Sequence, residues 1–284
     1  MKKKISMDAS EPPDWRDWAR RIEDLYEKGH LFHQLGHEEE ALASYDQAVA
    51  LCHAHFSQWE WGGVFLGLAL NFKACALVDL NRMEEAIPVF DEAIRSREQH
   101  VRGDGFVWDA HDIAVFVRNK GLALMRLDRH SEAHACFETA LEAFTSCDQK
   151  EEMACTWINF GSLYTRQGRL DAALATFEES LKLREESLAG ETDIAKADYA
   201  YTQFCKAETL FKLGRSYEAL EAITHAIPLQ RSIQSQTRDP SDREHLTDTL
   251  TLRGEILARL GQVEESEECL CEVARLKKQQ VRGD

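Results

Sequence analysis

The amino-acid sequence predicts an all-α protein built from stacked helix–turn–helix hairpins, and three observations support this fold class. First, a residue suited to a tight turn recurs six times along the 284 residues, at Gly36, Asn81, Asp128, Gly168, Gly214 and Gly261. Gly, Asn and Asp are the residue types that best tolerate a left-handed backbone at a helix C-terminus. Second, small and large apolar residues lie at fixed distances from each turn. Third, only five prolines occur, so long tracts are free of helix breakers.

Small side chains flank every turn at two fixed steps. Seven residues before the turn stand Gly29, Ala74, Gly121, Gly161, Ala207 and Gly254, and five residues after it stand Ala41, Ala86, Ala133, Ala173, Ala219 and Ser266. Four residues before and nine residues after each turn the side chains are large and apolar, as at Tyr164 and Phe177. Two helices approach closely only where Cβ atoms are absent or small, and large groups then fill the groove beside them. The pattern therefore predicts tightly paired helices that also pack on the next pair.

The segment WINFGSLYTRQGRLDAALATF, residues 157–177, places Trp, Gly, Tyr, Gly, Ala and Phe at fixed steps. This pattern resembles the tetratricopeptide repeat, and six copies in register cover about residues 14–280. The resemblance implies a right-handed superhelical α-solenoid of about six helix–turn–helix repeats. Successive turn residues are 45, 47, 40, 46 and 47 positions apart, against about 34 in the usual repeat. The long spacing resembles the repeat arrays of kinesin light chains and of bacterial peptide-sensing regulators.

The expected organisation is a disordered N-terminal tail over residues 1–13 and a single repeat domain over residues 14–280. Its six hairpins are expected at about 14–55, 57–100, 107–146, 148–188, 191–236 and 239–280. Pro12-Pro13 and Asp14 favour a helix start directly after them. The polar composition of the last helix fits a solvated end, and a homodimer contact through Leu270 and Val273 is the alternative.

Composition excludes several classes of function. The net charge of −16 argues against binding to nucleic acid or to anionic lipid, because neutralising phosphates requires clustered Lys and Arg. The eight cysteines form no CxxC pair, and no secretory signal follows the basic start, so we expect reduced thiols in a cytoplasmic protein. No apolar run reaches the roughly 20 residues that span a bilayer, so no membrane partner is expected.

No catalytic motif is found in the sequence. A Gly-rich phosphate loop, GxSxG and HExxH are all missing, so we expect neither an enzyme nor a bound cofactor. His30, His33 and His37 share one face of a helix, but no cysteine or carboxylate completes a recognisable ligand motif in the sequence. No metal site is therefore expected.

The resemblance also implies that the first helix of each hairpin lines a concave groove. Asn71, Asn119 and Asn159 fall at groove-facing steps of the repeat. Because a carboxamide both donates and accepts hydrogen bonds, a row of them can pair with the backbone of an extended peptide. The alternative is that asparagine at these steps only fixes the packing of the helices.

A basic stripe is predicted in the groove of repeats three to six. It consists of Arg118 and of the residues two positions before the turn, which are Arg126, Arg166, Lys212 and Arg259. Arginine suits the capture of a carboxylate, so the expected guest is an acidic peptide segment or a C-terminal carboxylate. The alternative is that cations near a helix C-terminus complement its dipole.

The leading functional interpretation is a protein–protein interaction scaffold or adaptor that binds a peptide or a partner segment in the concave groove. The alternative is a ligand- or peptide-gated regulatory protein that acts through a change in superhelix shape. A third possibility is an assembly subunit that oligomerises through the open ends of the array.

Overall fold

The computed structural model describes residues 15–55, 62–99, 107–188, 192–236 and 240–280. In these residues every helix or strand assigned is α-helical, as predicted. The helices are α1 (Trp15–Gln34), α2 (Glu38–His55), α3 (Gly62–Asp79), α4 (Met83–Glu98), α5 (Val107–Arg126), α6 (His130–Ser146), α7 (Lys150–Arg166), α8 (Leu170–Leu188), α9 (Asp193–Lys212), α10 (Ser216–Gln236), α11 (Pro240–Arg259) and α12 (Val263–Gln280). The tail predicted over residues 1–13 lies outside the described residues.

Consecutive helices pair into the six predicted hairpins, from α1–α2 to α11–α12. The chain divides into two compact units, residues 1–147 and 148–284, each holding three hairpins. Within each unit the second helix of one hairpin packs against the first helix of the next, as α2 does on α3 and α8 on α9. This succession of paired helices is an all-α repeat solenoid, so the predicted fold class is confirmed. The single domain over residues 14–280 stays a prediction.

All six predicted turn residues have a left-handed backbone. Their φ angles are 72° at Gly36, 60° at Asn81, 57° at Asp128, 72° at Gly168, 78° at Gly214 and 78° at Gly261. Each turn also has the two hydrogen bonds of a Schellman motif. At Gly168, for example, its amide donates to the Thr165 carbonyl (3.0 Å) and the Arg169 amide donates to the Tyr164 carbonyl (2.9 Å). These bonds satisfy the last carbonyls of the first helix while the chain reverses.

Close approach of the paired helices is greatest where glycine faces an aromatic ring. A Cβ atom added at Gly161 would lie 2.5 Å from Cζ of Phe177, and one added at Gly121 would lie 2.6 Å from Cε1 of Phe137. Gly29 faces Tyr45 in the same way, with 2.6 Å to Cζ. The close pairing of helices that the small residues predict is therefore confirmed, and the structure adds that the glycine seven before the turn faces the aromatic residue nine after it.

The most apolar helix is α3, in the first unit. By length and composition it is the one described helix that could cross a membrane, with a mean hydropathy of 1.4 over 18 residues. In the structure 56% of this segment is buried, and α3 packs against α2 and α4. Its apolar composition is explained by its position in the core of the first unit.

Two substitutions at turn residues test the left-handed backbone: one adds a Cβ atom to a glycine, and the other replaces an aspartate by glycine. Nothing lies within 4 Å of the position of an added Cβ at Gly168, so Gly168→Ala tests the backbone conformation alone. We expect it to lower the free energy of unfolding by about 1 kcal/mol, because L-residues are disfavoured in the left-handed region. Asp128→Gly should leave stability unchanged or raise it, since that strain is removed. Urea unfolding measures both, and a stabilising Gly168→Ala would contradict the turn assignment.

Candidate binding surface

Two of the three asparagines predicted to bind a peptide bind each other. In the first unit, Asn119 donates from Nδ2 to Oδ1 of Asn71 (3.2 Å) and to Sγ of Cys75 (3.6 Å). Asn71 is only 5% exposed. These contacts tie α3 to α5 and support the packing alternative for this pair. Asn159 lies half-buried on α7 in the second unit, and its role in peptide binding stays a prediction.

Two arginines of the predicted stripe contact the C-terminal end of the preceding first helix. Arg126 donates from Nη1 to the carbonyl of Val78 (3.2 Å), and Arg259 donates from Nη1 to the carbonyl of Phe211 (3.1 Å). The Arg259 guanidinium also lies 3.9 Å from the centroid of the Phe211 ring. Such cations complement the negative end of a helix dipole, which was the alternative interpretation. Both side chains nevertheless remain exposed, with further N–H donors available to a partner.

The other cations of the stripe differ from one another. Lys212 is exposed and pairs with Glu208 on its own helix (2.8 Å), an interaction worth little at a surface. Arg166 is exposed at the end of α7. Arg118 is half-buried, with its guanidinium 5.5 Å from the centroid of the Phe144 ring. The described residues therefore present exposed cations in both units, while Arg118 is partly enclosed.

A buried ion pair joins neighbouring hairpins, and sequence reasoning missed it. Arg97 on α4 donates to Asp112 on α5 (2.5 Å), and Arg184 on α8 donates to Asp198 on α9 (2.6 Å). The arginines are 4% and 6% exposed. Each arginine lies sixteen residues after its turn (81 to 97, 168 to 184), and each aspartate lies sixteen residues before the next turn (112 to 128, 198 to 214). We call this repeated pair the Arg–Asp clasp.

The joint between α10 and α11 lacks this clasp. Gln230 and His245 occupy the corresponding steps (214 to 230, 245 to 261). Gln230 is 8% exposed, and its Oε1 atom has no hydrogen-bond partner. A cavity of about 390 Å³ opens beside it, lined by Ala197, Asp198, Tyr201, Gln230, Ile233, Asp242 and His245. We call it the α9–α11 cavity.

An exposed apolar stripe runs along α9. Ile194 is 77% exposed and Tyr201 is 46% exposed. Residues seven apart lie on one face of a helix, and Ala197 falls between them on that face. Tyr201 borders the α9–α11 cavity, and Ile194 borders a second cavity of about 280 Å³. Tyr201 lies thirteen residues before Gly214, a groove-facing step of the repeat, and this step is the signal that could have identified it from sequence.

His33, one of the three histidines on the helix face described above, lies beside two carboxylates. Sequence analysis did not predict this contact. His33 on α1 donates from Nδ1 to Glu38 on α2 (2.9 Å) and lies 3.8 Å from Asp79 on α3. The hydrogen bond to Glu38 raises the pKa of His33, and burial raises the pKa of Asp79. The three donor atoms lie within 4.8 Å of one another, which makes these the described residues that could hold a metal ion. All three side chains are partly exposed. A protonated His33 balances the charge of the carboxylates, so the cluster does not require a metal ion.

Three thiols are protonated at neutral pH because the fold encloses them. Burial raises the pKa of Cys52, Cys75 and Cys205 to about 12. A thiol is a weak nucleophile and a weak metal ligand until it loses its proton. These cysteines therefore act as small apolar side chains in the core.

The sequence matches family models of the tetratricopeptide repeat at residues 25–54, 68–100, 112–186 and 247–280, which together span more than half of the chain. The turns, the small residues beside them and the paired helices all agree with this match. The chain belongs to the tetratricopeptide repeat family.

Solved structures with the same fold include BtubC, RapI and NprR. BtubC from P. vanneervenii is 16% identical, with a TM-score of 0.71 over 86% of this chain and 92% of that one. The apo form of RapI is 14% identical, with a TM-score of 0.62 over 95% and 87%. NprR in complex with its cognate peptide NprX is 16% identical, with a TM-score of 0.59 over 93% and 68%. At these identities the similarity establishes the fold alone. No curated protein matches the sequence.

The Arg–Asp clasp generates a prediction about stability. Asp112→Asn should lower the free energy of unfolding by about 3 kcal/mol, because it removes the carboxylate charge that the buried Arg97 guanidinium binds. The double variant Arg97→Met/Asp112→Leu should recover much of this loss, since no charge then remains to be desolvated. Urea unfolding monitored by circular dichroism measures both.

Glu179→Gln is the matched control for this experiment. Glu179 pairs with Lys182 on the surface of α8, so its loss should cost well under about 1 kcal/mol. If Asp112→Asn cost no more than this control, the clasp would not contribute to stability.

Proposed function

We propose that this protein is a non-catalytic interaction scaffold whose first helices bind an extended peptide or a segment of a partner protein. The observation that carries the proposal is the apolar stripe on α9, in which Ile194 and Tyr201 are exposed and Ala197 is half-buried. Large apolar side chains exposed between cavities are costly in water, and aromatic anchors beside pockets supply most of the affinity at protein interfaces. Membership of a family of stacked hairpins supports the proposal, because such arrays present extended surfaces.

The proposed partner segment is acidic or ends in a carboxylate. Arg126, Arg166, Lys212 and Arg259 are exposed cations at the groove-facing step two residues before each of the last four turns. Arg126 and Arg259 are held by one carbonyl contact each, so their remaining donors are positioned in advance for a carboxylate. The first helices would bind this segment.

We also propose that the protein is cytoplasmic, because its eight free cysteines would stay reduced there.

A peptide-gated regulator is the second candidate function, because NprR in complex with its peptide NprX has the same fold. A regulator of this kind changes shape when its ligand binds, whereas a rigid scaffold does not. Small-angle scattering with and without a selected peptide separates the two functions.

A homodimer through the C-terminal helix is a third proposal. Of the two residues expected at that contact, Leu270 and Val273, only Leu270 is accessible to a partner. Leu270 is exposed, whereas Val273 is buried in the core against Leu246 and Leu250.

The test of the scaffold proposal starts from a random-peptide display library selected on the full-length chain. Selected peptides are labelled, and their affinities are measured by fluorescence anisotropy. Tyr201→Ala should weaken binding at least about tenfold, because an aromatic anchor commonly contributes 2 kcal/mol or more. Lys212→Glu should weaken the same peptides and reduce the dependence of their affinity on salt.

Matched controls lie on the second helices. Tyr217 on α10 is exposed like Tyr201, and Lys182 on α8 is exposed like Lys212. Tyr217→Ala and Lys182→Glu should leave the affinities unchanged. Selection of no peptide, or equal losses at Tyr201 and Tyr217, would contradict binding by the first helices.

A further inference from the structure

The joints between hairpins show how this chain uses arginine inside the fold. At the α4–α5 and α8–α9 joints a second helix supplies a buried guanidinium, and the next first helix supplies the aspartate that binds it. At the α10–α11 joint the second helix supplies Gln230 instead, and its Oε1 atom is buried without a partner. A buried acceptor in this state costs free energy unless a donor reaches it.

Three hydrogen-bond acceptors lie on the wall of the α9–α11 cavity, contributed by Asp198, Gln230 and Asp242. Asp198 uses Oδ2 to bind Arg184, and its Oδ1 has no hydrogen-bond partner among the described residues. Asp242 contributes a second carboxylate, and Gln230 contributes the unpaired carbonyl. One lining side chain that can carry a positive charge is His245, which takes the step that aspartate occupies at the two clasped joints. The cavity therefore favours a cationic donor.

Aromatic and apolar groups complete the cavity. The rings of Tyr201 and His245 lie 6.5 Å apart between centroids, and Ile233 lies on the wall. A guanidinium is planar, stacks on aromatic faces and offers five donors in a fixed fork, whereas an ammonium is compact and more strongly hydrated. A cavity of about 390 Å³ has room for one such side chain.

We propose that the α9–α11 cavity binds the guanidinium group of an arginine from a partner chain, in the place where the α4–α5 and α8–α9 joints use an arginine of the chain itself. The arginine donates to Asp198 and Gln230, and its plane lies beside the Tyr201 ring. The net charge of −16 favours the approach of such a cation. This pocket shares Ala197 and Tyr201 with the apolar stripe of α9 but contains none of the cations of the predicted basic stripe. The proposal does not require a peptide to cross the first helices.

The experiment titrates the full-length chain with N-acetyl-arginine amide by isothermal titration calorimetry. The matched probe is N-acetyl-citrulline amide, which has the same shape but no charge. We expect a dissociation constant on the order of 1 mM for the arginine amide and at least about tenfold weaker binding for the citrulline amide. Free arginine forms a further arm: weaker binding than the amide indicates an arginine within a chain, and equal binding indicates free arginine as the source.

Variants locate the binding in the cavity. Gln230→Met removes the unpaired carbonyl without touching the clasp, so it should weaken the arginine amide about tenfold and leave thermal stability unchanged or higher. Gln230→Arg supplies the guanidinium from the chain itself and should abolish binding. Asp198→Asn should also abolish binding, while Asp112→Asn removes the equivalent clasp of the first unit and should leave binding unchanged.

Three results would overturn the proposal. They are equal affinities for the arginine and citrulline amides, no binding of the arginine amide up to about 20 mM, and full binding by Gln230→Arg. Because Gln230→Met is expected to fold at least as well as the parent chain, loss of stability cannot account for its result. The display experiment with acidic peptides is independent of all three.

Discussion

The contact on which the rest of this structure depends is the packing of an aromatic ring against a glycine of the neighbouring helix. Phe177 lies over Gly161 and Phe137 over Gly121, at distances that no Cβ atom would allow. This approach lets the two helices of a hairpin share a continuous interior. The left-handed turn is its precondition, because it reverses the chain within a few residues and keeps the two steps at the same height.

Regular hairpins produce regular joints, and the joints determine which side chains meet between neighbouring hairpins. Within a unit each second helix meets the next first helix at equivalent positions, so one ion pair recurs at residues 97 and 112 and at residues 184 and 198. A different residue at one joint then leaves a local cavity, while the packing of the helices around it is kept. Gln230 illustrates this, since a cavity and an unpaired carbonyl lie where the α4–α5 and α8–α9 joints hold a guanidinium.

The sequence was sufficient for the features that depend on short-range constraints. Left-handed turns require Gly, Asn or Asp, and close helix pairs require small residues, so both could be read from spacing alone. Features that depend on which side chains meet across hairpins could not be read in this way. The carboxamides of Asn71 and Asn119 bind each other, and Arg126 binds a backbone carbonyl 48 residues earlier, because neighbouring first helices bring these groups together. Arg97 looks like a surface cation at a helix end, and only its contact with Asp112 shows why it is buried.

The most direct measurement compares the free energies of unfolding of Gly161→Ala and Gly254→Ala. Both glycines occupy the step seven before the turn, but an added Cβ at Gly254 meets nothing closer than 3.6 Å, whereas at Gly161 it overlaps the Phe177 ring. Alanine favours a helix over glycine by about 1 kcal/mol, while overpacking costs about 1–3 kcal/mol. The account predicts that Gly254→Ala is stabilising and that Gly161→Ala is destabilising, with part of the loss restored by Phe177→Leu. Stabilisation by both substitutions would show that the helices do not approach as closely as the fold requires.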